Sequence, residues 1–252
     1  MPDLQPLRRL ITGRTLDAEL ASLLWLLLEA RVPLVVVGPG SADRDRLLDG
    51  LAGFLPAGAR TVEIAPDDDF DWLPEAIDLG WRRERGSVSA DGRRASSSDC
   101  ILVAHGLADP AGIAGTRARI VVRALSLGYG LLATMAGDGL DDVLDALHDP
   151  VVGTDPDERS RLGVVLVLAD DTGTPRVGAA HYLRPVALDT HGHVQRQPPA
   201  VLATWNGGAD RWDHFAWGVM PDLAGRLGVR PIELEREQAR RAGILGEAAA
   251  TG

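Results

Sequence analysis

The nearest approach to a chemical motif in this sequence is the run Gly38-Pro39-Gly40-Ser41-Ala42-Asp43-Arg44-Asp45-Arg46. It follows the β-branched stretch Val32 to Val37 and precedes Leu47, Leu48, Leu51 and Phe54 at helical spacing, so it reads as a glycine turn between a strand and a helix. Such a turn can cradle a phosphate with backbone N–H groups and a helix N-terminus. Against the phosphate-loop pattern G-x-x-x-x-G-K-[ST], only Gly38 is kept. Asp43 stands at the second glycine, Arg44 at the lysine, and Asp45 at the hydroxyl that binds magnesium. Asp43 replaces a residue chosen to let the backbone approach a phosphate closely. Arg44 keeps a positive charge, but a like-charge contact at about 4 Å costs roughly 4 kcal/mol at an effective dielectric near 20, so the two neighbouring carboxylates offset it. Two readings stay open on the motif alone: a degenerate nucleotide-binding loop from Gly38 to Arg46, and a βα turn with no ligand.

Other groupings carry weaker chemistry. His181, His191, His193 and His214 suggest a metal site, but a pair in a polar hairpin turn is more simply exposed, and no carboxylate is spaced to complete a site. No metal is therefore expected. The acidic run Asp67-Asp68-Asp69 with Asp71 reads as a solvated loop rather than a cation site, and Cys100 with His105 as a buried cysteine rather than a thiol–imidazole pair. Trp205, Trp212, Phe215 and Trp217 form either a satellite core or a partner-docking surface.

Composition narrows the classes further. The 252 residues include 26 basic and 36 acidic ones, a formal charge of -10, and every basic residue is arginine. The absence of lysine excludes Schiff-base chemistry and an intact Walker A lysine. An acidic chain with no basic block makes nucleic acid an unexpected partner. One cysteine permits no internal disulfide, and no apolar run is long enough to span a membrane, so a soluble cytoplasmic protein is expected. Two explanations fit the lysine-free, acidic balance: a salt-rich cytoplasm and a GC-rich codon bias.

The elements that must position these residues alternate. A helix is expected from Thr15 to Ala30, with Thr15 as N-cap, and further helices at Ala111 to Leu125 and Gly139 to His148. Strands are expected at Val32 to Val37, Arg60 to Ala65, Cys100 to Ala104, Leu131 to Thr134 and Gly163 to Leu168. Continuous apolar strands between helices argue an α/β fold with a mainly parallel sheet flanked by helices. Gly80 to Asp99 reads as an Arg-, Ser- and Gly-rich loop. Beyond it a small antiparallel extension (Val177 to Val186, Val201 to Trp205, around a turn at Asp189 to His193) and two closing helices, Met220 to Leu227 and Ile232 to Leu245, complete the chain. Residues 1–175 form the core and 176–252 its C-terminal strands and helices in the same domain.

Leu10-Ile11, Gly13-Arg14-Thr15-Leu16, Leu24 to Glu29, Gly38 to Leu48, Phe54-Leu55-Pro56 and Thr61 to Ile64 resemble, in order, segments of the archaeal-type type II/IV secretion ATPases, which assemble the archaellum and type IV pili. Ile101 to His105 resembles their Walker B segment with His105 at the glutamate, and Ala65-Pro66 stands where the family's Asp box has Glu-Asp, with Asp69 near its later glutamate. Ser126-Leu127-Gly128 and Ala133 to Gly137 resemble the His box without its histidines, while Thr204-Trp205-Asn206, Asp210, Leu223 to Gly228, Glu233-Leu234 and Arg240 to Leu245 are similar to the ending of archaeal members. The resemblance implies a RecA-like P-loop NTPase fold. Because the lysine, the metal hydroxyl, the Walker B acid, the Asp-box pair and both histidines are replaced together, it also implies a pseudo-ATPase with no catalytic residue and no cofactor. The expected role is a structural or regulatory subunit, in a homo- or hetero-oligomer with an intact secretion or pilus ATPase or with the platform membrane protein at the inner face of the membrane. The alternative it leaves is an unorthodox ATPase that binds ATP and magnesium with Arg44 in place of the lysine.

Overall fold

Two helices precede the sheet, α1 (Gln5–Thr12) and α2 (Ala18–Glu29). The computed structural model describes residues 5–56, 58–82, 95–170, 175–188, 191 and 193–250. Helix α2 starts later than its spacing predicts, because Asp17 rather than Thr15 is the cap: its carboxylate accepts the Leu20 N–H at 2.9 Å. The Thr15 backbone is committed elsewhere, donating to Leu10 O and accepting from the Val177 N–H, each at 2.8 Å.

The chain then alternates through β1 (Leu34–Gly38), α3 (Ser41–Ala52), β2 (Arg60–Glu63), β3 (Cys100–Ala104), α4 (Gly115–Ala124), β4 (Gly130–Ala136), α5 (Leu140–His148), the short α6 (Pro156–Arg159) and β5 (Val164–Asp170). It continues with β6 (Pro175–Tyr182), a two-stranded ribbon of β7 (Ala187–Leu188) and β8 (Val194–Gln195), then β9 (Ala200–Asn206), β10 (Arg211–His214), α7 (Met220–Leu227) and α8 (Pro231–Ala250). Eight strands form one sheet in the order β10-β9-β6-β5-β1-β4-β3-β2. The five from β5 to β2 are parallel, and β6, β9 and β10 extend the β5 edge antiparallel. The expected α/β class, mainly parallel sheet, antiparallel extension and helical C-terminus are all present.

Strand β1 is buried at all five residues, as a central parallel strand covered on both faces must be. Leu34 and Val36 join α1, α2, α3, α7 and α8 in one core, and Val35 and Val37 join α4, α5 and the segment from Ile64 to Trp81 in the other. Helix α2 is buried continuously from Leu20 to Leu28, so it lacks the polar face of an amphipathic helix. Helix α8 covers it: the Arg241 guanidinium lies 4.5 Å from the Trp25 ring centre and 2.6 Å from the Glu29 carboxylate, and Trp25 stacks on Phe54 at 5.3 Å. Of the expected 80–99 loop, residues 83–94 lie outside the described residues, as do Asp189, Thr190 and Gly192 of the expected hairpin turn.

Candidate functional site

Strand β1 feeds α3 on one face of the sheet, whereas β3 and β4 feed α4 and α5 on the other. The connections therefore diverge between β1 and β4, and in open α/β sheets a ligand crevice forms outside the strands' carboxyl ends at such a point. All the residues from Gly38 to Arg46 lie here, but their local structure is not an extended loop. Strand β1 ends at Gly38 and α3 begins at Ser41, leaving only Pro39 and Gly40 between them, and the Arg44 N–H bonds Gly40 O at 3.2 Å in the helical pattern. Gly38 answers to packing: a Cβ there would lie 2.9 Å from Leu168 Cβ on the neighbouring β5.

Arg44 is 5% exposed. Its side chain folds back over the end of β1, donating to the Gly38 carbonyl and, at 3.3 Å, to that of Pro39. The other terminal nitrogen lies 3.7 Å from Asp109 Oδ2, and Asp109 Oδ1 accepts the Ala136 N–H at 3.0 Å where β4 ends. The guanidinium thus links the ends of β1 and β4, and its Nε is buried with no acceptor. The two carboxylates expected to oppose Arg44 have partners of their own: Asp43 pairs with Arg46 at 3.3 Å, and Asp45 Oδ1 lies 2.8 Å from His105 Nδ1. Below them the loop after β3 is pinned to β4, with Gly106 and Leu107 N–H groups donating to the hydroxyl and carbonyl of Thr134 at 3.0 and 2.8 Å.

No protein-family model matches the chain, and comparison with curated proteins gives no match.

The remaining sequence candidates are dispersed. Asp68, from the acidic run, is half-buried and organises its loop: its carboxylate accepts the Phe70 N–H at 2.6 Å and the Trp72 indole N–H at 3.1 Å, and its carbonyl accepts Arg117 Nε at 3.0 Å. Cys100 is buried, and burial raises its thiol pKa. His181 lies on β6, where burial lowers its pKa against the opposing charge of Asp141. His191 and His193 stack at 6.1 Å. His214, on β10, bonds Asp17 at 2.8 Å with Glu19 at 3.8 Å; burial alone would lower its pKa, but the bond and charge of Asp17, with Glu19 and Asp213, hold it above the usual value. Among the described residues no group of three His, Cys, Asp or Glu is arranged for a metal. Trp212 is buried and donates its indole N–H to Val177 O at 2.8 Å, whereas Trp217 is 76% exposed. Sequence reasoning missed Asp109, because nothing near it in the chain indicates that it meets Arg44.

Proposed function

We propose that this chain is a non-hydrolysing relative of the type II/IV secretion and pilus assembly ATPases, with a RecA-like core. It acts as a structural or regulatory subunit, beside an intact ATPase of the same fold or on the cytoplasmic side of the pilus platform. One observation supports the loss of hydrolysis: the Arg44 guanidinium, the one positive charge at the lysine position, is folded back onto the Gly38 and Pro39 carbonyls at the end of β1 instead of being presented to a phosphate. The kinship is supported by contacts between aligned positions. Asp45 and His105 stand where the resemblance has the magnesium-binding hydroxyl and the Walker B acid, two groups that serve one metal in an active enzyme. Here they meet each other at 2.8 Å.

These residues do not fit a magnesium triphosphate. Ser41 to Arg46 are helical, and the first turn of α3 carries the Asp43 carboxylate near its N-terminus, with Asp45 two residues on. An ATPase relying on Arg44 would need its guanidinium to leave the Gly38 and Pro39 carbonyls. Purified protein is expected to release no phosphate from magnesium ATP above a buffer blank, and to change the hydrolysis rate of an intact secretion ATPase mixed with it. Magnesium-dependent turnover that disappears in Arg44→Ala would overturn this reading in favour of an Arg44-dependent ATPase.

A further inference from the structure

Against a net charge of -10, one cavity of about 610 Å³ is lined by four arginines. It lies between α4 and the residues Gly80, Trp81 and Arg82, away from the Arg44 crevice. Arg117, Arg119 and Arg123 come from α4 and are half-buried; Arg82 is exposed. Each α4 arginine is held by its Nε, leaving terminal nitrogens for another acceptor. Arg117 Nε donates to Asp68 O at 3.0 Å, and its guanidinium lies 5.3 Å from the Trp81 ring centre. Arg119 Nε donates to Val152 O. Arg123 Nε bonds Glu158 at 2.7 Å and its Nη1 bonds Leu79 O at 2.9 Å. Arg82 has no acceptor among the described residues. Among the described residues Asp69 is the one carboxylate in the lining, and Arg123 is the one lining arginine with an acid partner, Glu158.

A second observation points the same way. Trp81 also lines the cavity; it is 8% exposed, and its indole N–H is buried without an acceptor. A buried N–H donor left without an acceptor is costly, and a ligand in the cavity supplies one when the Trp81 ring shifts towards it. Guanidinium forks and an N–H donor suit phosphoryl oxygens, which accept bidentate, charge-assisted bonds. Six residues separate Arg117 from Arg123, about 9 Å along the helix axis, more than one phosphoryl group bridges. The volume falls within the roughly 300–1,000 Å³ of small-ligand sites.

We propose that this cavity binds a small ligand carrying at least two linked phosphoryl groups, with Arg82 and Arg117 and the Trp81 indole N–H as donors to one end and Arg119 and Arg123 to the other. Titration calorimetry with pyrophosphate at low salt is the test. Binding is expected, with orthophosphate at least about tenfold weaker. Arg82→Gln and Trp81→Phe are each expected to weaken pyrophosphate about tenfold, as loss of one charge-assisted bond does, with the melting temperature unchanged. Arg230→Gln, an exposed cation just before α8, is expected to have no effect. ADP tighter than pyrophosphate would identify a nucleotide as the source, and equal affinity a polyphosphate; either supports the site. No pyrophosphate binding at millimolar concentration overturns the proposal, as does an Arg230→Gln loss equal to that of Arg82→Gln.

Discussion

Arg44 and Asp109 form a latch across the ends of β1 and β4, and the two partners are not equally dispensable. Removing the carboxylate leaves a guanidinium that is 5% exposed with carbonyl acceptors but no counter-charge, whereas removing the guanidinium leaves a better solvated carboxylate still bonded to the Ala136 N–H. Urea unfolding is expected to find Asp109→Ala destabilising by about 3 kcal/mol, near the low end for breaking a buried pair. Arg44→Met should cost only about 1 kcal/mol, since the residue left behind keeps a hydrogen bond. The reverse order would mean that the latch is not what holds the two strand ends. His214 carries a pH dependence of its own. Its pKa is raised in the folded state by Asp17 and its acidic neighbours, so the stability it contributes is fully present below its unfolded value of about 6.5 and is lost as pH rises through the higher folded value. The stability difference between the native chain and His214→Gln should therefore be largest near pH 5.5 and shrink towards pH 8.5. A difference that grows with pH would show that the Asp17 bond does not hold the proton.

At the scale of elements, the first turn of α3 decides whether a phosphate loop can exist. Making Asp43→Gly, Arg44→Lys and Asp45→Thr together removes two carboxylates and the folded-back guanidinium, and the glycine alone disfavours the helix by about 0.3 kcal/mol relative to aspartate. The turn should open enough to give measurable ATP affinity in calorimetry without turnover, because under the proposed kinship His105 still replaces the Walker B acid. An intact fold with no ATP binding would mean that the turn stays helical. The same element marks the limit of what the sequence made legible. The runs Leu34 to Val37, Cys100 to Leu102 and Leu131 to Ala133 announce themselves as central strands, because burial on both faces leaves no polar alternation. Helix α7 is likewise bounded as its spacing predicts, from Met220 to Leu227. The eight residues of α1, with two buried leucines, and the four of β10 have too little periodicity to read; pairing with β9 makes the latter a strand. Arg44 was legible as a misplaced lysine but not as a cap on β1, because its acceptors are backbone carbonyls that no residue type encodes. His214 and Asp17 meet across most of the chain, so neither announces the other.

At the scale of the whole molecule, the charge of -10 sets two salt effects against each other. Salt weakens the ion pairs, but Arg14–Asp210, Arg196–Asp157 and Arg230–Glu233 are exposed on both sides, and such pairs contribute about 0–1 kcal/mol each. Salt also screens the repulsion among surplus carboxylates on the folded surface, which an expanded chain relieves by moving them apart. The screening length falls from about 10 Å at 0.1 M to about 3 Å at 1 M, so neighbouring carboxylates repel at the lower concentration and hardly at the higher. Because the weakened pairs are worth little, relief of repulsion is expected to win. The melting temperature should climb steeply between low and molar potassium chloride, as a protein adapted to a salt-rich cytoplasm would behave. A melting temperature that stays flat across that range would mean the acidic surplus is spread too thinly to repel, and would leave codon bias as the explanation for a chain without lysine.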